Sequence, residues 1–173
     1  RRARLRGATF SVSLVGYTNA GKSTLFNKLT HGAADAADQL FATLDTTSRR
    51  ISGANGASVV VSDTVGFIRD LPHTLVASFH ATLEETVRAD LLLHVVDAAS
   101  PARDDQITEV NKVLAEIGAD TVPQIMVLNK IDAAGLEPGV ERDQYGRISV
   151  VRLSAQTGAG IGPLRSLLGD HLL

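Results

Sequence analysis

Cysteine is absent from all 173 residues, which excludes disulfides and thiolate metal sites. Neither sign of charge dominates: 17 Lys and Arg stand against 19 Asp and Glu, a formal net charge of -2. That balance leaves no global electrostatic footprint for nucleic acid, only room for a local patch. No apolar run approaches the ~18 residues of a membrane span, so no integral membrane segment is expected. The basic start R-R-A-R-L-R runs into a strand-like segment, not a signal core. Internal repeats and a second domain are also missing. What remains is globular: 44% hydrophobic and 21% charged residues, in a length that suits one domain with a real core.

Apolar runs alternate with segments of helical spacing. Strands are predicted at Phe10–Val15, Leu91–Val96, Gln124–Leu128 and Ile148–Val151. Arg49–Gly53 and Ser58–Ser62 flank Asn55-Gly56, a turn pair that favours positive φ and so predicts a hairpin. Helices are predicted at Ser23–Leu29, Leu75–Arg88, Asp104–Ile117 (stopped by Gly118) and Ile161–Leu172. Residues 31–47 are Ala, Asp, Thr and Gly rich with weak periodicity, and read as a long mobile loop. This order predicts an α/β protein: a mostly parallel six-stranded sheet, one antiparallel strand from the hairpin, and helices on both faces.

Three motifs carry chemistry. The first is Gly16-Tyr17-Thr18-Asn19-Ala20-Gly21-Lys22-Ser23, between the first strand and the first helix. Its glycines let consecutive N–H groups turn toward phosphate oxygens, and the helix N-terminus adds a positive dipole end. Lys22 is placed to reach the β and γ phosphates, the Ser23 hydroxyl to ligate magnesium, and Thr24 to extend the phosphate cradle. The plain alternative is a glycine turn. The second motif, Asp63-Thr64-Val65-Gly66, puts a carboxylate at a strand end, as water-mediated magnesium binding requires, and a side-chain-free N–H near the γ phosphate. Alone such a pair is usually a turn. The third is Asn129-Lys130-Ile131-Asp132 at the end of another strand. A carboxylate there accepts from guanine N1–H and its 2-amino group, donors that adenine lacks. Asn129 can tie this loop to the phosphate loop, the Lys130 stem can cover the base, and Ser154-Ala155 can offer a backbone N–H to guanine O6. A charged turn is the alternative for this motif by itself; together the motifs specify guanine.

The strings G-Y-T-N-A-G-K-S-T-L-F-N, F-A-T-L-D-T-T, D-T-V-G-F-I, L-L-L-H-V-V-D-A and N-K-I-D resemble the HflX family of translation-factor GTPases, from about Val12 to the last helix. The resemblance implies a Ras-like P-loop GTPase fold, GTP hydrolysis that is slow without a partner, and GTP or GDP as ligand with Mg2+. It implies a cytoplasmic protein that acts on the large ribosomal subunit to split or rescue ribosomes. It also implies that residues 1–9 are the end of a linker to an N-terminal domain, and 10–173 an isolated, monomeric G domain. Matching the family pattern puts the magnesium-ligating threonine at Thr43, with Thr46 and Thr47 as alternatives in the first switch.

Phe67 sits where Ras-like GTPases carry a water-orienting glutamine, and a phenyl ring has no donor or acceptor for that task. Asn19 resembles the asparagine that several GTPases use as a potassium ligand, which adds K+ as a candidate cofactor; its alternative is a turn residue that tolerates positive φ. The rival functions are a nucleotide-gated binding module with negligible hydrolysis, and a related cytosolic GTPase of tRNA modification or ribosome assembly. His73 and His80 lack a third ligand for a metal site, and Glu84, Glu85 and Arg88 read as a solvated helix face.

Overall fold

The computed structural model describes residues 9–30, 47–52, 58–63 and 86–169. Thr43, Gly66, Phe67, the Asn55-Gly56 turn, most of the helix predicted from Leu75, and the end of the last helix lie outside the described residues.

The elements in chain order are β1 (Thr9–Gly16), α1 (Lys22–Thr30), β2 (Thr47–Ser52), β3 (Ser58–Asp63), β4 (Leu91–Asp97), α2 (Arg103–Glu116), β5 (Gln124–Asn129), α3 (Ile131–Ala134), β6 (Gly139–Arg142), β7 (Ile148–Arg152) and α4 (Ile161–Gly169). They form one sheet of seven strands in the order β2-β3-β1-β4-β5-β7-β6. The five central strands run parallel, and both edge strands pair antiparallel with their neighbours. The expected sheet had six strands and one antiparallel member; β6 is the difference. It is four residues long with a single branched apolar residue, Val140, so it carries no period-2 signal. Its pairing is set by the turn that follows. Asp143 Oδ1 accepts the N–H of Tyr145 and of Arg147, and Gly146 takes φ +82°. The Arg147 N–H bond, foremost, holds the exposed Asp143 carboxyl below its ordinary pKa.

Side chains on the two sheet faces feed two cores. On one face, Leu25, Phe26 and Leu29 of α1 and Ile161, Leu164 and Leu168 of α4 pack on Val12, Leu14, Val61, Leu93, Val95 and Val127. Each such fully buried side chain contributes on the order of 2 kcal/mol. On the other, Val110 and Leu114 of α2 meet Val15, Leu92 and Ala119. The α2 helix ends in a Schellman motif. Gly118 at φ +81° bonds to the Ala115 carbonyl, and the Ala119 N–H to the Leu114 carbonyl.

The chain leaves β1 for β3 on one side and later returns to β4 on the other, so sheet order reverses at β1. In open α/β sheets the crevice at such a reversal, beyond the carboxyl ends of the strands, is where ligands bind. Gly16, Asp63, Asp97 and Asn129 all stand at those ends. A concavity of about 1030 Å3, lined by Phe10, Leu91, Ile125, Ile148 and Leu167 among others, opens at the opposite ends of the strands and holds none of the motif residues.

His94 lies in the middle of β4 at 2% exposure. Burial pushes its pKa from 6.5 down to about 4, against a smaller opposing effect of its hydrogen bond with Gln124. The unfolded chain therefore takes up this proton first as pH falls. The stability due to neutral His94 is complete above pH 6.5 and is lost progressively down to about pH 4. At ~1.4 kcal/mol per pH unit the loss approaches ~3 kcal/mol. Urea denaturation of wild type and His94→Leu at pH 7 and pH 4.5 should show the wild type losing at least ~2 kcal/mol more than the variant on acidification.

Candidate functional site

The loop from β1 to α1 is built around close approaches and positive φ. A Cβ on Gly16 would come within 2.5 Å of the Val95 carbonyl oxygen, so only glycine lets β1 lie this near β4 at that point. Asn19 takes φ +68° and Gly21 φ +94°, and the Ala20 N–H closes a turn on the Tyr17 carbonyl. Positive φ at Asn19 is the turn conformation foreseen as one of its two readings. The half-buried Tyr17 side chain packs against the core cluster of Val15, Leu92, Val110 and Leu114, which anchors the start of the loop. α1 begins at Lys22, where by helix geometry the N–H groups of Lys22, Ser23 and Thr24 have no partner inside the helix. They gather at the positive end of its dipole.

Lys22 and Ser23 are both buried, and both meet Asp63 at the end of β3. The Ser23 hydroxyl donates to Asp63 Oδ2 at 2.8 Å, and Lys22 Nζ stands 3.7 Å from Oδ1. Burial lowers the Lys22 pKa more than the Asp63 charge and hydrogen bond raise it. A phosphate brought to that ammonium acts in the same direction as Asp63, restoring the charged form that burial disfavours. The hydroxyl of Ser23 and the carboxylate of Asp63 are hard oxygens, the donor type magnesium takes from a protein while phosphate and water complete its shell. Among the described residues no group of three or more His, Cys, Asp or Glu offers a rival metal centre.

Asn129, 2% exposed at the end of β5, joins the two halves of the site. Its Nδ2 donates to the Ala20 carbonyl at 2.9 Å, and its Oδ1 accepts the Ala155 N–H at 2.9 Å. Lys130 follows at φ +65°, with Nζ donating to the Asn19 carbonyl at 2.8 Å and lying 3.3 Å from Asp97 Oδ2. Ile131 is buried and anchors the short helix α3, which leaves Asp132 exposed in its first turn. One strand end and one helical turn thus point Asn129 inward and leave Asp132 accessible to a base.

The Ser154-Ala155 loop is more fully engaged than the expected role for it. The Ser154 N–H donates to the Ala159 carbonyl and the Ala155 N–H to Asn129, so both backbone donors proposed for guanine O6 already serve the protein. The Ser154 hydroxyl accepts the Thr157 N–H and shapes the loop. Sequence reasoning had missed Asp97 and Gly160. A Cβ on Gly160, which has φ +79°, would press on the Arg152 carbonyl and within 3.0 Å of the Leu153 Cα. Asp97 ends an apolar strand as Asp63 does, and that parallel was the available signal. Thr43 and Gly66 lie outside the described residues.

A phosphate loop, a strand-end carboxylate and an asparagine-clamped base loop, all at the reversal point of a Ras-like sheet, define a guanine-nucleotide-binding domain of the GTPase class. The profile of one such family, described as "50S ribosome-binding GTPase", matches residues 11–130, and the chain belongs to that family. It is 54% identical over 173 residues to GTPase HflX of Escherichia coli (strain K12), covering 99% of this chain and 41% of that protein. To GTPase HflX of Magnetococcus marinus it is 51% identical over 159 residues, covering 92% and 37%. The chain therefore spans about two fifths of the length of these curated relatives. A GTP-binding protein from Sulfolobus solfataricus, solved in complex with GDP, superposes with TM-score 0.70 at 28% identity, covering 94% of this chain and 52% of that one.

Gly21 tests the geometry. Its backbone is at positive φ, and a Cβ there falls on the Asn129 amide, which is bonded at both ends and cannot move aside cheaply. Gly21→Ala should weaken guanine nucleotide binding at least tenfold, about 1.4 kcal/mol or more, measured by titration with a fluorescent GDP analogue.

Proposed function

We propose that this chain is the GTP-binding and GTP-hydrolysing G domain of an HflX-type translation factor that acts on the large ribosomal subunit to split or rescue ribosomes. The observation that carries the nucleotide part is the Asn129 clamp. By tying the phosphate loop to the base loop, it supports one ligand spanning both. The likeness to the HflX GTPases and the match to a ribosome-binding family support the ribosomal part.

In this reading Lys22 and the loop amides, foremost the N–H groups of Lys22, Ser23 and Thr24, bind the phosphates, and Ser23, Asp63 and Thr43 would hold Mg2+. That ion, when bound, neutralises charge that develops on the β and γ phosphates. The Gly66 N–H meets the γ phosphate, and Asn19 is the ligand for a monovalent cation such as K+. Asn129 and Lys130 fix the base loop, and Asp132 accepts from guanine. Phe67 offers no hydrogen bond to water, so hydrolysis by the chain alone is slow and a partner completes the machinery. The domain is a cytoplasmic monomer in this account.

Asp132→Asn exchanges an acceptor for a donor. It should weaken GTP at least tenfold and improve xanthosine triphosphate, whose 2-oxo group needs a donor; competition binding of the two nucleotides reads the switch. Equal preference in wild type and variant would overturn the base-loop assignment. For the ribosomal role, the full-length protein should co-sediment with large subunits in the presence of a GTP analogue and much less with GDP. Sedimentation that ignores the nucleotide would count against it.

A further inference from the structure

We propose that Asp97 is a positioning residue for nucleotide retention, which fixes the Lys130 ammonium on the Asn19 carbonyl and so keeps the phosphate loop in its binding shape. The assignment rests on the guanine-nucleotide reading above and adds to it a residue from a strand that none of the three motifs includes.

Three parts of the molecule meet at this point. Lys130 Nζ donates to the Asn19 carbonyl at 2.8 Å and lies 3.3 Å from Asp97 Oδ2. Asp97 is itself held from both sides. Its Oδ1 accepts the Ala99 N–H at 2.9 Å, and its carbonyl accepts the Ser100 N–H at 3.1 Å. The Ala98 N–H bonds the Asn129 carbonyl at 2.9 Å, locking the ends of β4 and β5 together directly beside Lys130. Asp97 thus presents a carboxylate whose position is determined before Lys130 arrives.

An exposed ion pair usually contributes little, because two long side chains must be ordered in water to form it. Here the carboxylate is already ordered, and the Lys130 backbone is set at φ +65° by the turn into α3. Only the lysine stem remains to be fixed, and it is the flexible member, a point charge on four methylenes. Asp97 takes one of its three donor directions and thereby aims another at Asn19. The Asn19 carbonyl belongs to the positive-φ residue of the Tyr17–Ala20 turn, so holding it holds the peptide planes that face the phosphates. Without the carboxylate, Lys130 gains freedom, the carbonyl loses its charged donor, and the loop opens more often.

The experiment is a double-mutant cycle on the dissociation of a fluorescent GDP analogue from the 173-residue chain in magnesium buffer. The chains compared are wild type, Asp97→Asn, Lys130→Met and the double variant. Asp97→Asn should accelerate release about fivefold, the scale of one well-placed charge contact. In the Lys130→Met background the same substitution should add nothing, because a residue that works through lysine has no further effect once lysine is gone. A purely structural role for Asp97 would speed release equally in both backgrounds, and that result overturns the proposal. So does unchanged release in Asp97→Asn. Should Asp97→Asn melt far below wild type, Asp97→Ser in the same cycle decides by the same criterion. A wild-type chain that fails to bind the GDP analogue would overturn the guanine-nucleotide reading itself, whereas normal wild-type binding with an inert Asp97 removes only this assignment.

Discussion

The two hydrogen bonds of the Asn129 side chain are the constraint on which the site depends. One carboxamide satisfies the Ala20 carbonyl in the loop after β1 and the Ala155 N–H in the loop after β7. These loops are distant in sequence and would otherwise move independently. The side chain is almost fully buried, so losing one bond would leave a polar group unpaired in a low-dielectric setting, at a cost of ~1–3 kcal/mol. Each bond therefore protects the other. The same carboxamide accounts for Gly21, since it occupies the volume a side chain there would need.

The sheet makes such a clamp possible. Parallel strands β3, β1, β4 and β5 end on the same side of the sheet, and register sets Asp97 beside Asn129 and Asp63 beside Leu14, two residues short of the end of β1. Side chains at these ends share a single rim even though the motifs are scattered along the chain. The rim carries a positive cluster at Lys22 and α1, a carboxylate at Asp63 to balance it, and a second charged pair at Lys130 and Asp97. Opposite charges alternate along the rim and offset one another in pairs, in keeping with a formal net charge of only -2.

Much of this was legible in the sequence, for local reasons. A glycine-rich loop between an apolar run and a helical pattern can be read because loop, strand and helix are contiguous. The hairpin strands Arg49–Gly53 and Ser58–Ser62 were found because period and turn chemistry agreed, and they appear as β2 and β3. β6 was not found, because a four-residue edge strand owes its existence to pairing with β7 and to the Asp143–Gly146 turn. Asp97 shares with Asp63 a place at the end of an apolar strand, but its partner Lys130 lies 33 residues later, and that meeting is set by the fold. For Ser154 and Ala155 the position after a strand was legible, but the bonds of their N–H groups to Ala159 and Asn129 are tertiary and leave no local pattern. His94 looked like one more member of a buried strand, and the titration behaviour that burial confers follows from its place at the centre of the sheet.

The arrangement also bears on why a ligand should matter to the fold itself. Lys22, Ser23, Asp63 and Asn129 are all buried polar groups in a small core, and the Lys22 charge is disfavoured where it sits. Buried charge is expensive unless paired, and here a single carboxylate answers both the ammonium and the Ser23 hydroxyl. Asn19 adds a non-glycine residue at positive φ, a conformation that asparagine tolerates better than most residues. The site thus gathers buried polar groups whose burial is costly unless they are paired. A nucleotide that supplies anionic partners to Lys22 and to the α1 amides relieves this cost, and binding the folded chain alone stabilises it by mass action, ~2.7 kcal/mol at a hundredfold excess over Kd. Occupancy and stability are then coupled through the same few atoms, so whatever loosens the phosphate loop to release nucleotide also weakens the join between β1 and β5. That coupling makes the rim, not the core, the place where this domain responds to its ligand.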